Sequence, residues 1–145
     1  MEKSMKHLVK VVLALFVFMA VSAVQTGYAQ TVRNSNNSMI AKIESDGTVR
    51  NSSNSHIGKI YSDGDIRDSS NRLIGKISNN GEVRDRNNSF IGKIESDGTV
   101  RNRNNSYIGK IDNDGTVRNS SNSVIGYAKG VPMYYAAVYF FFGLF

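Results

Sequence analysis

The chain contains no cysteine. That one absence removes disulfides, thiolate metal sites and a cysteine nucleophile. It also removes the lipid-bearing cysteine that a bacterial lipoprotein requires at its cut. A small exported domain without such staples must draw stability from packing and repetition. Long apolar runs are missing too: Val11–Val21 gives eleven residues, where a membrane helix needs about 20. Histidine is nearly absent, since beyond the first thirty residues only His56 remains. One histidine without a partner makes neither a catalyst nor a metal site. No acid/base pair stands outside the repeated turns, no nucleophile has a base, and no phosphate-cradling loop joins a helix. The chain therefore reads as non-enzymatic, with no cofactor and no metal.

Residues 1–29 read as a cleaved secretory signal. Lys3, Lys6 and Lys10 precede the apolar run, and Gly27 and Ala29 hold the minus-three and minus-one positions of a cut before Gln30. Ala23 marks an alternative cut, and a retained membrane anchor is the competing reading. Residues 30–145 hold 15 Lys/Arg against 11 Asp/Glu, a net charge of +4, in a length that suits one domain. The expected location is exported: periplasmic, cell-surface or secreted, and not a lipoprotein.

What the chain has in abundance is one unit of seventeen residues, V-R-N-x-x-N-x-x-I-G-K-I-x-x-D-G-x, recurring at Val32, Val49, Ile66, Val83, Val100 and Val117. Each copy holds two short extended segments, such as Thr48-Val49-Arg50 and Ile57-Gly58-Lys59-Ile60, separated by two turn signals. The first is Asp-Gly or Asn-Gly, with Gly47, Gly64, Gly81, Gly98 and Gly115 supplying positive φ. The second ends on asparagine in every copy: Asn37, Asn54, Asn71, Asn88, Asn105 and Asn122. Asparagine is at ease in the left-handed region, so these residues read as structural turns; a ligand-binding asparagine ladder is the sharper alternative. Period-two alternation puts Ile57 and Lys59 on one face and His56, Gly58 and Ile60 on the other, so neither face is purely apolar. The equivalents of His56 (Met39, Leu73, Phe90, Tyr107 and Val124) form a variable row, expected at a partly buried rim. Glycine at 58, 75, 92, 109 and 126, with Ala41 in the first copy, implies close approach of a backbone or an aromatic ring.

Five complete Asp-Gly hairpins result (40–51, 57–68, 74–85, 91–102 and 108–119), with a strand left at each end: Thr31-Val32-Arg33 and Val124-Ile125-Gly126-Tyr127. Pairing of those two strands would close a ring and remove both exposed edges. An open meander or stacked solenoid is the alternative. The tail, residues 131–145, carries no charge, and Pro132 suits the first turn of a helix. Each repeat supplies a thin core, so the tail is expected to fold back and pack against the array or inside its central channel. Docking on a membrane or partner is the second reading. An outer-membrane barrel strand is excluded because both alternation sets, Tyr139/Phe141/Phe145 and Val138/Phe140/Phe142, are apolar. The fold class is all-β: a radial or ring-like array of 17-residue β-hairpin repeats over residues 30–130, with the segment 131–145 belonging to the same domain.

These residues resemble the bacterial five-fold beta-flower proteins, small exported proteins of Bacteroides-type bacteria. The resemblance rests on the V-R-N-x-x-N-x-x-I-G-K-I-x-x-D-G unit, the five Asp-Gly hairpins, the signal ending Tyr28-Ala29-Gln30, and the closing Ala136-Ala137-Val138-Tyr139-Phe140-Phe141-Phe142. It covers essentially all of residues 30–145 and implies a radial array of hairpins. It carries over no activity and no site residues.

The remaining chemistry lies in two cationic rows. Arg33, Arg50, Arg67, Arg84, Arg101 and Arg118 are the candidate anion-binding residues, with Lys42, Lys59, Lys76, Lys93 and Lys110 beside them. Like charges in register repel, so they are either splayed and paired with acids such as Asp46, Asp63, Asp97 and Asp114, or gathered on a polyanion such as an acidic glycan or lipid phosphate. Asp112-Asn113-Asp114-Gly115 superficially matches a calcium loop, but Ser123 stands where the closing glutamate belongs. The Asn-x-Ser sites at Asn36, Asn51, Asn87, Asn104 and Asn119 matter only in a eukaryotic secretory pathway. The expected role is a structural or interaction module of the cell envelope. Glycan or anion binding and membrane association through the tail are the alternatives. An envelope protein or acidic glycan is the expected partner, self-association is open, and nucleic acid is disfavoured by the export signal and moderate charge.

Overall fold

The computed structural model describes residues 30–145; residues 1–29, read above as a secretory signal, lie outside the described residues. Twelve strands run β1 (Gln30–Asn34), β2 (Met39–Ile43), β3 (Thr48–Asn51), β4 (His56–Ile60), β5 (Asp65–Asp68), β6 (Leu73–Ile77), β7 (Glu82–Asp85), β8 (Phe90–Ile94), β9 (Thr99–Asn102), β10 (Tyr107–Ile111), β11 (Thr116–Asn119) and β12 (Val124–Tyr127), followed by α1 (Met133–Phe141). Each strand pairs antiparallel with its sequence neighbours, and β12 returns to β1, giving a closed barrel. The two end strands thus close the ring, through Arg33↔Tyr127 and Asn34↔Gly126. No edge is left within the sheet.

Both turn types share one geometry. At the Asp-Gly turn, Gly47 N–H donates to Glu44 O (2.9 Å) and Glu44 N–H to Thr48 O (2.8 Å), with Gly47 at φ +87°. At the Asn turn, Asn54 N–H donates to Asn51 O (3.0 Å) and Asn51 N–H to Ser55 O (3.0 Å), with Asn54 at φ +65°. The neighbour decides which residue takes the left-handed position. A Cβ on Gly47 would collide with the carbonyl of Ile60, whose own N–H donates to Gly47 O at 3.0 Å. Asn54 is exposed, so its side chain meets no such obstacle.

Each Asn-turn hairpin carries a bulge, and here simple alternation fails. Val49 faces Gly58 but Arg50 faces His56, leaving Ile57 as an extra residue. The same shift recurs in the other five Asn-turn hairpins. A bulge sharpens the local twist and curl, which suits closure by strands of four or five residues. It also moves His56 off the face of Gly58 and Ile60. The inward face becomes wholly apolar, correcting the expectation of two mixed faces: Val49, Gly58 and Ile60 are buried while His56 is exposed. The isoleucines and valines of this inward set, Ile43 to Val117, form the core, and no polar residue is buried among the described residues.

Eight-stranded barrels fill themselves with side chains, whereas wider ones leave a lumen. Here the tail occupies it. Ala128 N–H donates to Gly115 O (2.8 Å) and Val131 N–H to Ala128 O (3.1 Å), so the chain turns inward at the Asp-Gly end, where Met133 lies beside Gly98. Pro132 caps α1, its carbonyl accepting from Tyr135 and Ala136 N–H. Nine helical residues span about 13.5 Å, comparable to the roughly 13–17 Å of a four- to five-residue strand. Ala136, Ala137 and Val138 are fully buried.

Past the helix centre the tail fans outward, one side chain to a hairpin. Phe140 covers Gly126, Phe141 covers Gly109, Phe142 covers Gly92, Leu144 covers Gly75 and Phe145 covers Gly58. Those glycines lie on β12, β10, β8, β6 and β4, spaced around the circumference, so the segment that reaches them all must lie inside. Gly143, at φ +57° and without close neighbours, breaks the helix and lets the last two side chains continue around the ring. Each glycine is pressed by a backbone as well, Arg67 O in the case of Gly58. The rings of Phe140, Phe141, Phe142 and Phe145 thus lie against inward-facing glycines of the barrel, while the tail aromatics stay half-exposed. No helix among the described residues is long and apolar enough to cross a membrane.

Candidate functional site

With the tail inside the barrel, the repeated charged side chains stand on the outer wall. Strand pairing arranges them as a belt. Arg50 lies opposite Lys42 on one side and His56 on the other, and the pattern repeats at Arg67, Arg84, Arg101 and Arg118. The arginine row, the lysine row and the variable row therefore run side by side around the barrel, with Arg33 opposite Met39 at the seam. Leu73 and Tyr107 are its most exposed apolar members, at 41% and 39%.

All six arginines are tied to their own turns. Each donates Nη1–H to the carbonyl of the left-handed asparagine: Arg33 to Asn37 (2.8 Å), Arg50 to Asn54 (3.2 Å), Arg67 to Asn71 (3.1 Å), Arg84 to Asn88 (3.0 Å), Arg101 to Asn105 (3.1 Å) and Arg118 to Asn122 (3.2 Å). Five also hold a carboxylate: Arg50–Glu44 (2.7 Å), Arg67–Asp65 (3.1 Å), Arg84–Glu82 (3.5 Å), Arg101–Glu95 (2.9 Å) and Arg118–Asp112 (2.9 Å). Half-exposed pairs of this kind contribute about 0.2–1 kcal/mol each. They hold the guanidinium planes in place and neutralise a row that would otherwise repel. Lysines are less engaged. Lys59 reaches Asp46 at 3.4 Å and Lys76 reaches Asp65 at 3.6 Å, while Lys42, Lys93 and Lys110 have no carboxylate within 4.0 Å among the described residues.

The turn tips are self-satisfied. Asn51 Oδ1 accepts from Ser53 and Ser55 N–H, both at 3.0 Å, and Asn34, Asp68, Asp85, Asn102 and Asn119 do likewise in their copies. This third motif residue is the structural group that sequence reasoning passed over. Its signal was its restriction to Asn or Asp in all six copies, the residue types that build such turns. At the other end, Asp46 Oδ1 accepts from Thr48 N–H at 2.9 Å. The Thr48 backbone N–H, and then its hydroxyl, lower the Asp46 carboxyl below its ordinary value. Thr99 and Thr116 do the same to Asp97 and Asp114, and the Arg72 backbone N–H lowers Asp68.

The described residues contain no cluster of three or more metal-ligating side chains. Asp114 of the calcium-like stretch spends its oxygen on Thr116 N–H at 2.9 Å, and Asp112 pairs with Arg118. A cleft of about 310 Å³ opens where a sixth Asp-Gly turn would lie, lined by Ile111, Asp112, Gly115, Ala128, Val131 and Met133. It holds one carboxylate and no histidine, so it gathers no acid/base pair.

A family model described as "5-fold beta-flower protein" matches residues 29–144. No curated protein matches the chain, and no solved structure does.

Proposed function

This chain belongs to the 5-fold beta-flower protein family, and we propose that it serves as a non-enzymatic, exported interaction module of the cell envelope, released by cleavage before Gln30. The observation that carries this reading is the belt. It sets a variable, mostly apolar row (Met39, His56, Leu73, Phe90, Tyr107, Val124) directly beside a constant row of arginines held in fixed positions. Varying one row on a rigid frame tunes a contact surface without disturbing the fold. A lumen filled by the protein's own tail leaves the outer wall as the place for a partner, and repeated polar groups suit a repeated contact better than one asymmetric reaction.

Photoreactive side chains introduced at positions 73 and 107 in cells test this directly, with a control at Ser53 on a turn tip. Adducts with one envelope component from the belt positions, and none from the tip, are expected. No adduct at either belt position would end the proposal. A second reading, binding of an acidic glycan, draws on Lys42, Lys93 and Lys110 facing Arg50, Arg101 and Arg118 across the strand pairs. Binding to anionic polysaccharide that falls steeply with salt would support it.

A further inference from the structure

We infer that Gln30 is a modification site, closing on itself to form an N-terminal pyroglutamate in the exported protein. This rests on the export reading above, since it requires removal of residues 1–29. Cleavage before Gln30 leaves a glutamine with a free α-amine, and the chemistry then needs nothing beyond the residue itself. The amine nitrogen attacks Cδ of the side-chain amide, a new N–Cδ bond forms, and the Cδ–Nε2 bond breaks. Nε2 departs as ammonia, carrying a proton from the amine. Nothing is oxidised or reduced. The ring formed has five members, and such intramolecular attack benefits from high effective molarity. An α-amine with a pKa of about 8 has an unprotonated fraction at neutral pH.

The setting of Gln30 favours the uncharged product. Gln30 lies in β1, where it pairs with Ile43. On its other side β1 meets β12 only at Arg33 and Asn34. The Gln30 end instead lies beside the Lys129–Gly130 link: among the described residues, a methyl placed on Gly130 would meet the Gln30 side chain alone, Cγ at 3.8 Å and Nε2 at 4.0 Å. The α-ammonium left by cleavage would belong to a half-buried residue. The open side chain also holds its Oε1 buried without a hydrogen-bond partner, a costly arrangement for an amide oxygen. Ring closure discharges the amine, shortens the side chain and re-aims that oxygen.

The test is intact-mass analysis of the full 145-residue chain after export by a Gram-negative host and prolonged incubation at neutral pH, together with α-amine labelling. The expected product has the mass of residues 30–145 less one ammonia and an N-terminus that resists labelling. A Gln30→Ala variant cut at the same bond should keep its full mass and a reactive amine. A mature chain beginning at Gln30 with full mass and a labelled α-amine would overturn the modification while leaving export intact. Retention of residues 1–29, or a cut after Ala23, would overturn the cleavage reading and the modification with it.

Discussion

The seating of Phe142 on Gly92 makes a quantitative demand. A methyl at Gly92 would run into Arg101 O and the Phe142 ring, with Cζ at 2.9 Å. Overpacking of this kind costs about 1–3 kcal/mol, and two unyielding neighbours place Gly92→Ala at the upper end. At Gly75 the nearest atoms are Arg84 O and Leu144 Cδ1, both at 2.9 Å. A leucine terminus can swing aside, and Gly→Ala recovers about 0.4–1 kcal/mol by restricting the unfolded chain. The Arg84 carbonyl must still give way, so Gly75→Ala should cost about 1–2 kcal/mol, less than Gly92→Ala. Phe142→Leu removes the ring from the Gly92 methyl's path, so combining it with Gly92→Ala should cost about 1–2 kcal/mol less than the sum of the single changes, within the range seen for contacting residues. The assay is chemical denaturation of the four proteins in the cycle, read as midpoint and slope. Additivity to within about 0.5 kcal/mol, or Gly75→Ala proving as costly as Gly92→Ala, would refute the one-ring-to-one-glycine packing.

The shared turn geometry predicts opposite tolerances. Gly98→Ala, at φ +89° and aimed at Ile111 O, should cost more than about 2 kcal/mol from the left-handed penalty and the collision, whereas Asn105→Gly, at φ +63° and exposed, should stay within about 1 kcal/mol; denaturation midpoints decide both. Ala41→Gly should lose about 1–2 kcal/mol, from a methyl-sized void and a glycine within a strand, the reverse of alanine's effect at the five equivalent glycines; a neutral or stabilising result would mean that the position tolerates no methyl. Asp46, Asp68, Asp97 and Asp114 have folded pKa values below 3.8. Their contribution is complete above the unfolded value and is lost as pH falls through the folded ones. Melting temperature should hold from neutral pH to about 4 and then decline, with Asp97→Asn shrinking the decline; a decline that is complete well above pH 4, or that Asp97→Asn leaves unchanged, would refute the assignment.

The barrel was legible in the sequence because its determinants are local and repeated. Glycine after aspartate, the last asparagine of each Asn turn and the unpaired strands at 31–33 and 124–127 together imply hairpins and a closing seam. Two features escaped for a physical reason each. The bulge at Ile57 and its equivalents leaves no mark in composition, since isoleucine suits a regular strand as well as a bulge; only pairing against Val49 and Arg50 exposes the extra residue. Without it, His56 lands on the wrong face and the belt is invisible. Asn51 and its copies escaped because the neighbouring left-handed asparagine already accounts for the turn, and a backbone-accepting side chain adds no pattern beyond Asn or Asp.

The tail shows how far a local reading can go. Glycine at 58, 75, 92, 109 and 126 states that something approaches closely, but it does not say what. The sequence Phe140-Phe141-Phe142-Gly143-Leu144-Phe145 states that rings need burial, but not where. The answer is geometric. Consecutive helical residues point about 100° apart, while alternate strands of a twelve-stranded ring stand some 60° apart on average. The two steps do not match, so the three successive contacts at β12, β10 and β8 rely on the reach of long phenylalanine side chains, and beyond Gly143 the chain serves β6 and β4. The sixth equivalent position completes the account: it alone carries a methyl of its own, Ala41, fully buried. Five glycines, five covering side chains and one alanine are then a single packing solution, written partly in the repeat and partly in the tail. This is why neither segment reads as complete without the other.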